Sequence, residues 1–296
     1  MNKKLSLIKL SLSMCIFGTI GIFRRYIPYS SGLIACARGV IGAVFLILFL
    51  LIRRQKTDFK AIVHYILPLI ASGLCLGSNW LLLFEAYNYT SVSVATVCYY
   101  MAPIIASAAA VLLFKDKITI KKGLCILVSC VGLVLVSGIL SDGISGMRGI
   151  LLGLGAAMLY AAVMLLNRSM KEINAYDRTV VQLAVSSVAI GTYTALNDDL
   201  SALTFEWLPV LLLVVVGILH TGVAYTLYFG VMNQLPTQTV SIFSYLDPVL
   251  SILLSALILH ETLTPLAVIG MVLVLGGTIA SEVDLKSFVK PRKEPS

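Results

Sequence analysis

The chain has 296 residues, 59% of them hydrophobic and 12% charged, with mean hydropathy +0.97 and formal net charge +8. A water-soluble domain needs a polar exterior that this composition does not supply, so lipid is the expected solvent. The basic excess does not mark a nucleic-acid binder, because lysine and arginine sit between apolar runs instead of forming one stripe.

A helix crosses the hydrocarbon core with about 20 apolar residues. The continuous apolar runs predict ten such spans, near residues 5–23, 31–52, 62–87, 91–114, 120–140, 148–168, 178–197, 208–230, 237–259 and 264–283. Alternation of the kind a β-barrel needs is missing. Span 1 follows Lys3 and Lys4 like a signal peptide, but it meets Arg24 and Arg25 with no small-residue cleavage site and is read as a retained helix. Span 2 carries Arg38 about two turns from its start. Span 3 carries Trp80, Phe84 and Tyr87 on one face, with Glu85 near its end, and the small pair Gly73 and Gly77. In span 4, Tyr99 and Tyr100 precede Pro103. Span 6 has Gly149, Gly153 and Ala157 at helical spacing, then Tyr160. Span 8 holds His220, Tyr225 and Tyr228, and span 9 holds Tyr245, Asp247 and Pro248. The small-residue stripes are read as helix packing. Six cysteines, at 15, 36, 75, 98, 125 and 130, fall within spans without CxxC spacing and read as free core thiols, with neither a disulfide framework nor a metal site.

Loop charges support the count. With the N-terminus inside, 18 of the 22 lysines and arginines lie on the inner side or in the tail. Only Arg24, Arg25 and Arg148 lie outside, and Arg38 is within a span. Nine or eleven spans would carry the basic tail (286–296) across and spoil this bias.

Residues 91–132 overlay 236–277 at an offset of 145: Tyr100 meets Tyr245, Pro103 meets Pro248, Asp116 meets Glu261, Thr119 meets Thr264 and Gly132 meets Gly277. Half the chain holds five spans, an odd number, so the second copy enters the membrane inverted. The expected fold is an all-α integral membrane protein of ten transmembrane helices, as two inverted five-helix repeats (1–142 and 143–285) around a central cavity. The joins include Asp142-Gly143 between the repeats.

These features resemble the EamA family of the drug/metabolite transporter superfamily. The resemblance is carried by Tyr87-Asn-Tyr-Thr-Ser-Val-Ser-Val-Ala-Thr, Tyr-Tyr-Met-Ala-Pro103 and Phe114-Lys-Asp-Lys-Ile-Thr119. The second copy repeats it as Leu235-Pro-Thr-Gln-Thr, Tyr-Leu-Asp-Pro248, His260-Glu-Thr-Leu-Thr264 and Gly270 to Gly277. Arg38 looks like the arginine that members often carry in span 2. Phe17-Gly18 departs from the Trp-Gly of many members. The resemblance implies secondary transport of amino acids, other metabolites, amines or drugs by alternating access, often as export.

A charge at membrane depth faces a cavity or a partner, since lipid cannot solvate it. Arg38 is a carboxylate-binding candidate or a structural clamp. Asp247 has Ala102 as its repeat counterpart, so the fold itself does not demand an acid there. It is a candidate for both substrate binding and proton coupling. Glu85 and His220 are further coupling candidates, against interfacial and packing readings. Trp80, Phe84, Tyr99, Tyr100, Tyr160, Tyr225 and Tyr245 are candidate substrate-binding walls, which stack on planar groups or hold cations by the ring face. Pro103 and Pro248, each removing a backbone donor mid-span, are either simple kinks or hinges.

No phosphate-binding Gly-x-x-x-x-Gly-Lys-[Ser/Thr] run is present. A membrane-embedded enzyme is the least favoured reading: His64, His220 and His260 lie in distant segments, with no His-Glu-x-x-His or Gly-x-Ser-x-Gly. A channel or lipid scramblase is the alternative to a carrier. No cofactor and no nucleic acid are expected. The expected partners are a small-molecule substrate and the bilayer, with a homodimer left open. The expected location is the plasma membrane of a bacterium, multi-pass, both termini cytoplasmic.

Overall fold

The computed structural model describes residues 3–114, 119–137, 146–199, 203, 206–232 and 234–282. Among them the secondary structure is helical throughout. Span 1 is Lys3–Gly18 continued by Ile20–Arg25, and span 2 is Ser31–Ile52. A short helix, Phe59–His64, precedes span 3, Ile66–Tyr89. Span 4 is Val92–Tyr99 plus Ala102–Phe114, and span 5 is Ile120–Val136. Span 6 is Met147–Ser169 and span 7 is Ala175–Asn197. Span 8 runs from Trp207–Val215 through a π-helical stretch, Val216–Val223, into Ala224–Met232. Span 9 is Thr237–Ser244 plus Leu246–Ile258, and span 10 is Pro265–Glu282. Nine of these are long and apolar enough to cross a membrane. The remaining one, span 5, has 17 described residues.

Helix starts within a bilayer leave N–H groups that water cannot reach, and side-chain oxygens cap several of them. Ser30 accepts from Leu33 N–H at 3.1 Å, Ser91 from Val94 N–H at 3.1 Å, Thr119 from Lys122 N–H at 3.3 Å and Thr264 from Ala267 N–H at 3.2 Å. The outward faces are apolar: Leu112, Ile120 and Leu196 are each at least 80% exposed. A surface of that kind fits hydrocarbon and not water.

The packing maps onto itself when the halves are exchanged. Span 3 packs on spans 6 and 7, and span 8 packs on spans 1 and 2. Span 4 packs on span 6 as span 9 packs on span 1, while spans 2 and 7, and spans 5 and 10, pair across the divide. The 145-residue offset holds at atomic contacts. A methyl group on Gly132 would lie 2.7 Å from the Gly270 carbonyl oxygen and 2.8 Å from Val274 N. One on Gly277 would lie 3.1 Å from the Cys125 carbonyl oxygen and 3.5 Å from Ser129 N, the same pairs moved by the offset. Gly77 against Ile190 likewise repeats as Gly222 against Phe45.

The copies are antiparallel. Ser30 at the start of span 2 bonds Asp198 at the end of span 7. The first residues of span 4 bond Glu261, just after span 9. Arg25 bonds the Thr90 carbonyl at 3.2 Å, and Arg148 lies 4.0 Å over the Tyr89 ring, so these ends share one face. The other face gathers Ser6 with Gln234 (3.0 Å), Asp58 N–H with Asp177 (3.3 Å) and Arg168 over Phe114 (4.5 Å). Lys9, Arg53, Lys60, Lys122 and Arg178 belong to this second, basic face by their span ends. Asp116, Asp142, Gly143 and the basic tail lie outside the described residues.

Candidate functional site

Spans 4 and 9 are both broken near their middles, at Tyr100-Met101 and at Tyr245. Pro103 and Pro248 stand just inside the second piece of each. Proline tolerates an early helical position but denies its N–H to the residue four before it, so the Tyr99 and Ser244 carbonyls lose that bond and the helix restarts. The breaks turn the tyrosines toward the interface between halves. Tyr100 Oη donates to Asp247 Oδ2 at 2.6 Å, and the Tyr100 and Tyr245 rings lie 6.1 Å apart. Tyr99 stacks on Tyr160 of span 6, with centroids 5.2 Å apart and planes at 17°, and stands edge-on to Tyr100. Asn79 of span 3 reaches Tyr99 Oη at 3.5 Å. Tyr225 of span 8 packs 5.4 Å from Phe17, the position where the Trp-Gly pattern is missing.

Arg38 closes the group from span 2. It is 5% exposed. Its Nε donates to Thr221 Oγ1 at 2.9 Å, and its guanidinium carbon lies 3.9 Å over Trp80 and 5.9 Å from Phe84. Trp80 and Phe84 are buried beneath it. Among the described residues no acceptor meets its two terminal nitrogens, and no ion pair joins it to Asp247. Opposite charges at membrane depth attract strongly. Here each is held by its own partners, Arg38 by Thr221 and Trp80, and Asp247 by Tyr100. This separation leaves the terminal guanidinium nitrogens and one carboxylate oxygen without a hydrogen bond among the described residues.

His220 and Thr221 sit in the π-helical stretch of span 8, whose counterpart in span 3 is regular helix. Such bulges turn side chains away from the α-helical register, often at functional positions. His220 is fully buried, with Nε2 2.8 Å from Thr19 Oγ1 and its ring edge on Phe23.

Glu85 is not brought to this group. It lies near the face of residues 25–31, where it accepts from Ser31 at 2.7 Å and Asn88 at 3.0 Å, and Arg24 also donates to both of those side chains.

Sequence reasoning missed the seam between spans 4 and 9. Ser93 bonds Ser255, Thr96 Oγ1 lies 3.3 Å from Ser251 Oγ, and Tyr100 bonds Asp247. Glu261 then caps span 4, accepting from Val92 N–H at 2.7 Å, Ser93 N–H at 3.2 Å and Ser93 Oγ at 3.0 Å, with Arg25 at 3.8 Å. On the basic face the remaining pieces, Ala102–Phe114 and Thr237–Ser244, have no comparable packing. The pair is closed at one face and parted at the other. The signal was available only as serines and threonines at three- and four-residue spacing in both copies.

Two clefts flank the centre, one per face, of about 680 Å³ beside Glu85 and about 280 Å³ beside Arg53. Neither is lined by Arg38 or Asp247.

The EamA-like transporter family pattern matches residues 4–138 and again 147–281. The chain is 27% identical to the uncharacterized transporter YxxF of Bacillus subtilis over 287 residues, covering 93% of this chain and 89% of that one. It is 23% identical to the uncharacterized transporter YoaV of the same organism over 241 residues, covering 80% and 82%. An uncharacterized transporter of Archaeoglobus fulgidus is 23% identical over 271 residues, covering 90% and 93%. A protein crystal structure 16% identical in sequence superposes with TM-score 0.67 over 93% of this chain and 96% of that one, which establishes the likeness of fold.

Proposed function

The chain belongs to the EamA-like transporter family, and from that premise we propose that it is a secondary transporter of small polar metabolites, such as amino acids, amines or related compounds, working by alternating access. The observation that carries this reading is the pair Arg38 and Asp247, two opposite charges near mid-span that are held by separate partners and left facing a tyrosine-walled interface between antiparallel halves. A transport site needs groups that bind a polar solute in place of water and can present it to either face. Tyr99, Tyr100, Tyr160 and Tyr225 supply ring faces and hydroxyls for the rest of the solute.

In this reading the basic face is cytoplasmic, by the positive-inside rule, and the membrane is the bacterial plasma membrane. The state described is then open toward the cytoplasm, which is the loading state of an exporter. Pro103 and Pro248 act as the hinges of spans 4 and 9. Asp247 is assigned to proton coupling as well as to binding, since its one hydrogen bond among the described residues is one that a solute or a proton can displace.

The test is flux in proteoliposomes with amino acids, amines and nucleosides. The expected result is saturable uptake with counterflow, abolished in Arg38→Ala and Asp247→Asn. A proton gradient drives accumulation in the coupled case, and its failure to do so marks a facilitative carrier. Flux that neither saturates nor shows counterflow would identify a channel or scramblase. No flux of any class would remove the proposal.

A further inference from the structure

The two flanking clefts are counterparts under the 145-residue offset. Leu81 and Leu82 of the larger become Thr226 and Leu227 of the smaller, Ser31 becomes Tyr176, Glu85 becomes Gly230, and Arg53 of the smaller becomes Asp198 of the larger. Their charges differ in a way the fold does not require. The larger cleft carries Arg24 and Arg148 together with Glu85 and Asp198, so cations and anions share it. The smaller, on the basic face, is lined by Lys9 and Arg53 and by no acidic residue. Neither cation meets a carboxylate among the described residues. Arg53 only covers the Phe49 ring, at 5.5 Å.

One neutral donor in this cleft is idle too. Tyr176 Oη donates to the Thr226 carbonyl at 3.2 Å, while the buried Thr226 hydroxyl has no partner among the described residues. The rim at Arg53, Gly230 and Gln234 is exposed. Lys9 and Arg53 lie at span ends, where headgroups meet hydrocarbon. In sequence they adjoin Ile8 and Ile52, 53% and 81% exposed, so an apolar surface begins beside the charges. Two cations at span ends, unpaired among the described residues, next to apolar surface and above a buried hydroxyl, match a phosphate that carries acyl chains.

We propose that the cleft between spans 1, 2, 7 and 8 binds the phosphate headgroup of an anionic membrane lipid, with Lys9 and Arg53 as its cations and the Thr226 hydroxyl, turned into the cleft by rotation of its side chain, as an added donor. The lipid supplies the anion that Glu85 and Asp198 supply in the opposite cleft. It bridges span 1 to span 2 and stabilises their packing against span 8. Because this site is separate from Arg38 and Asp247, it stands or falls independently of the transported solute.

The test uses the full chain, purified and delipidated in mild detergent, titrated with phosphatidylglycerol, phosphatidylcholine or inorganic phosphate. Bound lipid is counted by native mass spectrometry and the unfolding midpoint is recorded. Phosphatidylglycerol is expected to bind and raise the midpoint, with phosphatidylcholine and inorganic phosphate far weaker. A juxtamembrane cation contributes roughly a fivefold effect on binding, so Lys9→Gln and Arg53→Gln each weaken it about fivefold and the double variant about thirtyfold. Thr226→Val removes the hydroxyl without a charge and weakens it further. It also serves as the second probe should a charge variant fold poorly, and Lys60→Gln is the control on the same face. Equal affinity for phosphatidylcholine, equal affinity for inorganic phosphate, or a Lys60→Gln effect as large as that of the cleft variants would each overturn the proposal. So would a double variant that keeps its lipid.

Discussion

The seal at the face of residues 25–31 rests on one carboxylate, so Glu261→Gln is the most informative single change. Glu261 satisfies two N–H groups at the start of span 4 and the Ser93 hydroxyl, and its charge sits at the positive end of that helix. Glutamine keeps one oxygen, enough for Val92 N–H. Its amide nitrogen then confronts Ser93 N–H, donor against donor. Leaving one buried donor unsatisfied costs about 1–3 kcal/mol, and losing the charge at the helix end costs about 0.3–1 kcal/mol. The Arg25 pair adds little, because Arg25 is 38% exposed and its distance is 3.8 Å. A total near 2 kcal/mol shifts the closed-to-open ratio of this face by about thirtyfold. Paired spin labels at positions 90 and 262, read by pulsed electron resonance in nanodiscs, report that ratio directly. The expected result is a second, longer distance whose weight rises in Glu261→Gln and falls again in Glu261→Asp. An unchanged distance distribution, with the protein folded, would refute the latch.

Three further outcomes follow from the same geometry. Tyr100→Phe removes the hydroxyl that holds Asp247 and is expected to cut flux about tenfold and to lower stability by about 1.5 kcal/mol, the contribution of one charge-assisted hydrogen bond, read as a lower unfolding midpoint in a protein that still folds. Arg38→Lys keeps the charge but loses the flat contact with Trp80 and the fork of donors, so solute affinity measured by thermal shift is expected to fall at least tenfold. Gly132→Val forces a side chain against the Gly270 carbonyl, and overpacking of this kind lowers stability by about 1–3 kcal/mol. Unfolding in detergent should show the loss, and Gly277→Val should show a similar one.

Much of the fold was legible because lipid imposes a coarse rule. Apolar runs, charge-sorted loops and prolines repeated at one offset give nine spans whose ends agree with the structure within a few residues, and Ser31–Ile52 agrees at both ends; span 5 agrees at its start, and its expected end at residue 140 lies outside the described residues. Candidate site residues were legible where a group is costly in a span by itself, such as Arg38 and Asp247, and the structure places both at the interface between the halves. Two features were hidden. The π-helical stretch around His220 packs on span 2, where Gly217 meets Ile41 and Gly222 meets Phe45, and no local residue signals it. Glu261 read only as the counterpart of Asp116, because its partners are backbone N–H groups 169 and 168 positions away and backbone donors leave no mark in a sequence.

The two faces of the span 4 and span 9 pair cannot be held shut by the same forces. In the closed half, Ser93, Thr96 and Tyr100 meet Ser255, Ser251 and Asp247, polar on both sides. Moving those positions by 145 residues gives Gln238, Ser241 and Tyr245 opposite Ala110, Ala106 and Ala102, polar on one side only. Closing the second face by the symmetric motion would bring alanines against polar side chains, with no hydroxyl-to-hydroxyl bonds to form. Each pair lost is worth about 1 kcal/mol. Under the alternating-access proposal, the conformation closed at the Glu261 face is therefore expected to be the lower in free energy for the empty protein, with a bound solute shifting the balance toward the opposite one. The halves are alike in backbone and unlike in seam, and the bias between the two states resides in that difference.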